Sequence, residues 1–520
     1  MTAHILAAVI AALTAAGCIR FTVFSHDRLK RMRHRTRFYL HPGPGFASHR
    51  EITLHLGRMA AIWHGRRCRR DLPGWARLIL PARHYAVRQG RGPGFRRIFT
   101  HGEDQVAVIA PPRIGKTGYL ADRVYGHPGA CVALTTRHDI WEHTSGKRAA
   151  LGPVQVFNPE NVGNVRSTFR VDIVADCIDP VAAQRTAAAL TGPVDAGTDN
   201  AMWQGLAMAA LAGLLHAAAV LGEDMSAVWR WANRIDEHQV REAMGRPGAS
   251  PDRIASALAI QRDSKTADSI RVILGDSLAW VASPHLRGMV SGPGLAGFDA
   301  AGWIESCGTI YFISSGADSS AEPLFRAVIE KIYRECRLAG SRTPYGRIPN
   351  PVLFALDEVT QTAAVPLGQW LATAAGDGIQ ICFVCHTPAQ LRARYGRDEA
   401  DAIWQLAAVK VILGGNSDPD LAEGLAKVTG YTSGDHPEPK IPADYLRQLP
   451  GLRAVVIAKE RSAVTVKIRP IWKRPSHRLL VRPLAWRLGL LYGPYVPLWE
   501  FLAPVAELSA DTPEPGEEAA

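Results

Sequence analysis

Short apolar runs recur along the chain, and each ends in a polar or glycine-containing segment. They have the length and the β-branched content of strands buried in a parallel sheet. Segments with helical spacing separate several of them, and strands that alternate with helices indicate an α/β domain. The sequence therefore predicts a doubly wound, mostly parallel sheet with strands at Val106–Ala110, Ala130–Leu134, Val154–Phe157, Gly308–Ser314, Pro351–Leu356, Ile379–Val384 and Val409–Leu413.

The pattern changes between residues 177 and 289, where strand signals disappear and alanine-rich runs with helical spacing take over. We interpret residues 177–289 as an all-helical domain inserted into an α/β domain that comprises residues 98–176 and 290–475. Within the insertion, Met202–Leu221 has the length of a membrane span. A glutamine and a histidine interrupt it, and alanine is its most frequent residue with seven of 20 positions, which favours a buried helix.

An apolar segment also opens the chain. Residues 3–24 would extend about 33 Å as a helix, which is enough to cross the hydrocarbon core of a bilayer. Met1–His4 carries no Lys or Arg, whereas basic residues follow the segment. This order favours a transmembrane anchor in residues 1–26, with its N-terminus outside, over a cleaved signal peptide. The sequence thus predicts a single-pass protein of the cytoplasmic membrane with its body in the cytoplasm.

The positive charge of the chain is concentrated after this segment. The net charge is +12, and residues 28–97 alone hold 18 Lys or Arg and two acidic residues. The rest of the chain is therefore slightly acidic. A basic juxtamembrane segment, residues 27–97, predicts contact with an anionic membrane surface. Contact with the phosphates of a nucleic acid is the alternative.

The C-terminal part of the chain predicts a hairpin and a tail. Leu452–Lys459 and Ala463–Ile468 read as two short alternating strands. Residues 476–520 are first apolar and tryptophan-bearing and then acidic. The last ten residues have a composition that predicts disorder.

The eight cysteines show no disulfide or metal framework. Cys382 and Cys385 form a C-x-x-C, but the surrounding I-Q-I-C-F-V-C predicts a strand, in which residues three apart point to opposite faces. We therefore expect buried, reduced thiols rather than a metal site.

The first predicted strand continues into A-P-P-R-I-G-K-T, which ends at Thr117. A strand, a loop, Gly-Lys-Thr and a helix follow one another in this order in phosphate-binding loops. Lys116 would reach the β- and γ-phosphates of ATP, and the Thr117 hydroxyl would bind Mg²⁺. Ala110 stands where the eight-residue signature has its first glycine. The residues predicted to bind ATP are Pro112, Arg113, Ile114, Gly115, Lys116, Thr117 and Gly118.

Two other predicted strands end in residues that suit ATP hydrolysis. Asp357 and Glu358 follow one of them, and His386 follows another. Ligands of doubly wound sheets bind at the carboxyl ends of the strands. We expect Asp357 to hold Mg²⁺ through its hydration shell, Glu358 to polarise the attacking water, and His386 to sense the γ-phosphate.

These motifs resemble those of the TraG/TraD-type conjugative coupling proteins over about residues 85–475. The resemblance rests on A-P-P-R-I-G-K-T, Asp199–Trp203 in the helical block, Leu356-Asp357-Glu358, and Gly378–Gly396 with its G-I, Q-L and Y-G pairs. Such proteins are the ATPases of type IV secretion that bring relaxase-bound DNA to the transfer channel. The resemblance implies a RecA-like motor domain, a helical domain that meets cargo, and a homo-hexamer. It also implies DNA, relaxase or relaxosome proteins, and channel components as partners.

The chain departs from the family pattern at four places. Ala110 replaces the first glycine of the loop, and His386 stands where such motors usually have a sensor glutamine. Ala375 occupies the position at which many relatives carry an arginine that completes the neighbouring subunit's site. Arg392 or Arg394 would then have to serve instead. The family usually has two spanning helices, and the sequence predicts one.

Three functions remain open from the sequence. The first is a membrane-anchored ATPase that couples relaxase-bound DNA to a conjugation channel and drives its transfer. The second is a nucleotide-binding docking receptor for secretion cargo that has lost hydrolysis. The third is a double-stranded DNA pump of the chromosome-partitioning kind, although residues 476–520 are too short and apolar for the terminal DNA reader that it requires.

Overall fold

A computed structural model describes most of residues 45–473. The gaps lie at residues 70, 194–199, 234–236, 259–264, 293–294, 296, 317–318, 433–436 and 460. The predicted anchor in residues 1–26 and the predicted tail in residues 476–520 lie outside the described residues. All statements below concern the part of the chain that the structure describes.

The strands are β1 Ala86–Arg91, β2 Arg97–His101, β3 Val106–Ile109, β4 Cys131–Thr135, β5 Val154–Phe157, β6 Thr309–Ile313, β7 Val352–Leu356, β8 Ile379–Cys385, β9 Val409–Leu413, β10 Arg453–Ala458 and β11 Val464–Lys467. Every strand predicted from the sequence is present within about two residues of its expected bounds, because most residues of these apolar runs are buried. The prediction missed β1 and β2.

Helices follow most of the strands. The α-helices of the described residues are His49–Glu51, Arg58–Cys68, Gly74–Ile79, Lys116–Gly126, Asp139–Ala149, Pro180–Thr191, Asn200–Leu221, Met225–Asn233, Glu237–Met244, Pro251–Ala257, Lys265–Leu278, Pro284–Gly288, Ala300–Glu305, Glu322–Ser341, Val359–Thr362, Leu367–Asp377, Pro388–Tyr395, Arg397–Leu406, Pro419–Thr429 and Ala443–Gln448.

The chain divides into two compact units, and the first contains the antiparallel strands. Its described residues are 45–114, 385–392 and 398–468. The strand order is β2-β1-β11-β10-β9-β3. Neighbouring strands are antiparallel from β2 to β9, and only β9 and β3 are parallel. The predicted hairpin is therefore confirmed as β10–β11, and β1–β2 extends the same sheet.

The second unit contains a fully parallel sheet. Its described residues are 115–384, 393–397 and 469–473. The strand order is β8-β7-β4-β6-β5, and all four neighbouring pairs are parallel. Every residue of β4, β6, β7 and β8 is buried, as expected where helices cover both faces of a parallel sheet. The predicted α/β class with parallel strands is confirmed.

In residues 177–289 the described elements are all helical. The longest apolar helix, Ala201–Leu221, is the one described helix long and apolar enough to cross a membrane by length and composition. More than half of its apolar window is buried inside the protein. Its His216 is also buried, and the ring bonds to the Cys177 carbonyl at 2.8 Å and to the Ser250 amide at 2.9 Å. A buried, hydrogen-bonded histidine fits a helix of the protein interior.

The basic segment is more structured than the sequence suggested. The sequence predicts one juxtamembrane segment in residues 27–97, but the described part of this range forms helices and β1. The helix Arg58–Cys68 packs near β2, and Tyr85, Phe99 and Ala61 share a small buried core. Arginines dominate the composition here, so the apolar positions that form this core indicated the helices and β1 only weakly.

Candidate nucleotide-binding site

The predicted phosphate-binding loop has the expected local structure. It leaves β3 after Ile109, and the helix Lys116–Gly126 begins directly after Gly115. Gly115 adopts the left-handed conformation with φ of +110°, and Arg113 does so with φ of +64°. These turns bring the chain to the helix N-terminus, where backbone N–H groups and the helix dipole favour an anion. Pro112 and Arg113 are exposed on this loop.

The glycine after the Gly-Lys-Thr sequence lies in a close contact that the sequence did not predict. Gly118 is buried in the first helical turn. A Cβ atom at this position would lie 3.0 Å from the side chains of Pro470 and Trp472. Gly118 is therefore constrained by packing against the chain beyond β11. No spacing in the sequence could have indicated a contact between residues so far apart.

Lys116 lies between the two predicted carboxylates. Its Nζ forms an ion pair with Glu358 Oε1 and lies 3.9 Å from Asp357 Oδ1. The Lys116 side chain is 13% exposed and the Asp357 side chain only 3%. Because these groups are mostly withdrawn from water, their mutual attraction is stronger than that of a surface pair. The structure thus brings together the three residues that the sequence placed at strand and loop ends.

The backbone at Glu358 explains how two consecutive carboxylates reach one ammonium. Along a strand, neighbouring side chains point to opposite faces. Glu358 breaks this alternation because it adopts φ of +48° and ψ of +44°, a left-handed conformation that is uncommon outside glycine. The Thr362 hydroxyl holds the turn by donating to the carbonyls of Asp357 and Glu358 at 3.1 and 3.0 Å. Backbone strain of this kind is concentrated at functional sites.

The expected ligands suit Mg²⁺ bound together with a nucleotide. Such sites use one or two protein oxygens, and phosphates and water complete the octahedron. Within the described residues no group of three or more His, Cys, Asp or Glu could hold a metal ion by itself. The buried Asp357 carboxylate and the Thr117 hydroxyl, on the first turn of the loop helix, are donors of the required type.

His386 contacts the loop at the residue that departs from the signature. Its Nδ1 lies 3.0 Å from the carbonyl oxygen of Ala110, and its backbone N–H donates to Gln390 at 2.8 Å. Because a carbonyl only accepts, Nδ1 carries the proton of this hydrogen bond. The role expected of His386, sensing the γ-phosphate, stays a prediction. Ala110 is not among the residues with positive φ, which explains why alanine is tolerated there.

Both arginines expected to replace the missing family arginine form ion pairs within the chain. Arg392 pairs with Asp420 at 2.8 Å, and Arg394 pairs with Glu322 at 3.0 Å. Glu322 also accepts from Arg326 at 2.7 Å, and Arg326 is buried. Burial lowers the pKa of the Arg326 guanidinium. Ala375 lies on the helix Leu367–Asp377.

Comparison with solved structures identifies the class of fold. The bacterial conjugative coupling protein TrwBdeltaN70, in its trigonal form with sulphate, is 19% identical with a TM-score of 0.57 over 71% of this chain and 86% of that chain. Its unbound monoclinic form is 17% identical with a TM-score of 0.58 over 79% and 94%. TrwB in complex with ADP and Mg²⁺ is 18% identical with a TM-score of 0.54 over 71% and 86%. The chain therefore shares the fold of these TrwB structures.

A family model adds evidence from the sequence to this assignment of the fold. The model for the TraM recognition site of TraD and TraG matches residues 351–436, which include Asp357, Glu358 and His386. A search of curated protein sequences gives no match. The family model and the shared fold together support a TraG/TraD-type coupling protein, and the resemblance noted in the sequence is confirmed.

Proposed function

We propose that this protein is an ATP-driven coupling protein that brings relaxase-bound DNA to a type IV secretion channel and moves the DNA. The observation that carries the proposal is the cluster of Lys116, Asp357 and Glu358 beside the N-terminus of the loop helix. A helix N-terminus, a lysine and two carboxylates are the groups that bind and hydrolyse a nucleoside triphosphate.

Each residue of the cluster has a distinct role in this proposal. The backbone from Pro112 to Gly118 holds the phosphates of ATP, and Lys116 neutralises the β- and γ-phosphates. Thr117 and Asp357 would hold Mg²⁺, which would neutralise phosphate charge. Glu358 accepts the proton of the attacking water, and its fixed backbone positions the carboxylate for that task. His386 orients the loop through Ala110.

The partners follow from the family and from the charge of the chain. The match to a TraM recognition site supports docking of a relaxosome protein on residues 351–436. DNA would be bound through its phosphates without base readout, because translocation must tolerate every sequence. A homo-hexamer, with the helical domain of residues 177–289 facing cargo, remains part of the proposal. So does a single membrane anchor in residues 1–26 with the body in the cytoplasm.

ATP hydrolysis by the full chain, with and without DNA, tests the proposal directly. We expect DNA to stimulate turnover and Glu358→Gln to abolish both basal and stimulated rates. Glu335→Gln, a substitution of the same chemistry on the helix Glu322–Ser341, is the control and should leave both rates unchanged. ATP binding without turnover in the unmodified chain would exclude the motor.

One observation favours a second candidate, a docking receptor without hydrolysis. Arg392 and Arg394 are both engaged within the chain, and Ala375 offers no guanidinium. An arginine supplied to a neighbouring site is worth a factor of about 10³–10⁵ in rate. Mixed oligomers test this point. Lys116→Ala subunits lack a working ATP site but keep Arg394, and Arg394→Ala subunits keep the site but lack the arginine. If Arg394 serves in trans, mixing the two variants should restore part of the turnover that each lacks alone, and a docking receptor would show no turnover in any mixture.

A further inference from the structure

Two short helices near the start of the described chain carry large apolar side chains on their outer surface. Met59 and Trp63 of the helix Arg58–Cys68 are 69% and 67% exposed. Trp75 and Ile79 of the helix Gly74–Ile79 are 67% and 73% exposed. Each pair is four residues apart, so its members lie together on one face of their helix. We call these four residues the outer apolar face.

The orientation of the first helix is fixed by contacts on its opposite side. Ala61 belongs to the buried core with Tyr85 and Phe99. Gly65 lies directly against Tyr85, since a Cβ atom there would be 2.8 Å from the Tyr85 ring. Residue 61 lies about 200° around the helix from residues 59 and 63. The outward position of Met59 and Trp63 is therefore a consequence of packing.

The connection between the two helices is also fixed. Arg69 is buried, pairs with Asp71 at 2.7 Å and donates to the His84 carbonyl at 2.9 Å. A guanidinium that bonds both a carboxylate and a backbone oxygen restrains the turn on which it lies. Both helices are thus held against the segment that precedes β1, and the outer apolar face belongs to an ordered element.

The surroundings of this face are strongly basic. Residues 28–97 contain 18 Lys or Arg and two acidic residues, and the side chains of Arg58 and Arg83 are exposed beside the two helices. Tryptophan and aliphatic side chains that are flanked by arginine are typical of helices at the interface of an anionic bilayer. Each basic residue near such a surface contributes about 1 kcal/mol of attraction.

We propose that the outer apolar face, Met59, Trp63, Trp75 and Ile79, inserts into the headgroup region of an anionic membrane and fixes the body of the protein against the bilayer. This inference rests on the membrane anchor of the proposed function. The predicted span ends at residue 24, and the 20 residues between it and the first described residue, Gly45, reach at most about 70 Å. A bilayer held at that distance is present at high effective concentration, so a weak surface contact is sufficient.

Nucleic acid fits this face less well than lipid does. Single strands stack their bases on aromatic rings, and Trp63 and Trp75 could serve in that way. The side chains of Met59 and Ile79, each on the same helix face as a tryptophan, have no aromatic ring on which a base could stack. They would instead gain the transfer free energy of apolar surface in a lipid interface. The combination therefore favours the membrane.

Amide hydrogen exchange of the full chain in lipid nanodiscs tests the inference. We compare discs of phosphatidylcholine with discs that also contain phosphatidylglycerol. Exchange in the segment 74–80 should be at least about tenfold slower in the anionic discs, because lipid contact suppresses opening of so short a helix. Met59→Glu with Ile79→Glu should remove this protection. Val272→Glu with Val428→Glu, which changes two valines of similar exposure elsewhere, should leave it intact.

Each other outcome overturns the inference. Retention of the chain in discs without added protection of residues 74–80 would leave the anchor in place and exclude the surface contact. Failure of the chain to remain with either kind of disc would exclude the anchor and the contact together. Protection that appears with a single-stranded oligonucleotide in detergent, and not with anionic lipid, would reassign the face to nucleic acid.

Discussion

The ammonium group of Lys116 forms an ion pair with the carboxylate of Glu358, the residue expected to activate water. This contact joins the group proposed to bind the phosphates to the group proposed to activate the attacking water. A γ-phosphate that binds Lys116 would compete with Glu358, because both are anions that bind the same ammonium. Displacement would free the carboxylate for the attacking water, so phosphate binding and base activation are linked through one pair.

Glu358→Gln should therefore tighten ATP binding while it abolishes hydrolysis. The neutral amide competes less strongly for Lys116 than the carboxylate does, and we expect affinity to rise several-fold. Titration with a fluorescent ATP analogue measures the effect. Asp357→Asn, which leaves the Lys116–Glu358 pair intact, should instead weaken Mg²⁺-dependent binding. Equal affinity of Glu358→Gln and the unmodified chain would contradict the linkage.

Lys116→Ala should abolish nucleotide binding and also lower thermal stability. Removal of the ammonium leaves Asp357 and Glu358 close together without their counter-ion, which costs several kcal/mol when carboxylates are mostly buried. The double variant Lys116→Ala with Glu358→Gln should regain part of the lost melting temperature. It should still fail to bind nucleotide. Lys427→Ala, at a surface lysine that is 69% exposed and pairs with Glu423, is the control with little expected effect.

His386→Ala should weaken ATP and ADP binding to the same extent. The ring bonds to the Ala110 carbonyl, so its loss would disturb the loop that holds the phosphates common to both nucleotides. A sensor of the γ-phosphate would affect ATP alone. Binding of the two nucleotides, measured by calorimetry, separates the two roles. His386→Gln can keep a donor toward Ala110 and should retain more of the affinity than His386→Ala.

The stability of the second unit should depend on the protonation of Glu330. Burial raises the pKa of this carboxyl to about 7 from its ordinary value of 4.5, despite the opposing effect of nearby Arg334. Between pH 4.5 and 7 the folded state binds a proton that the unfolded state releases, so the unfolding free energy falls as pH rises through this window. Glu330→Gln should therefore be more stable than the unmodified chain above pH 7 and lose this advantage near pH 4.5. An equal difference in stability between Glu330→Gln and the unmodified chain near pH 4.5 and above pH 7 would contradict the raised pKa of Glu330.

The sequence predicted the buried parallel strands well and the local geometry of the site poorly. Strands such as β7 are apolar at every position, and a short run of this kind is typical of a buried strand. The strand β1, with sequence A-V-R-Q-G-R, carries no such pattern, and its pairing depends on β2 and β11. The left-handed conformation of Glu358 could not be predicted from the sequence either. In a residue other than glycine, only the surrounding contacts stabilise it.

The thiols illustrate a prediction that needed only the strand pattern. Cys382 and Cys385 are buried on β8, and burial raises the pKa of the Cys382 thiol to about 11. Both properties oppose reaction or metal binding. The sequence alone was sufficient here because alternation along a strand is a local rule.

The contact of Gly118 with Pro470 and Trp472 has a consequence for the evolution of the family. Small residues after the Gly-Lys-Thr sequence are interchangeable when the space beside them is open, but here a methyl group would already press on an indole. The two positions, more than 350 residues apart, are therefore not free to change independently. Homologues with a larger residue at the position of Gly118 should carry a smaller one at that of Trp472, and this pair should covary across an alignment.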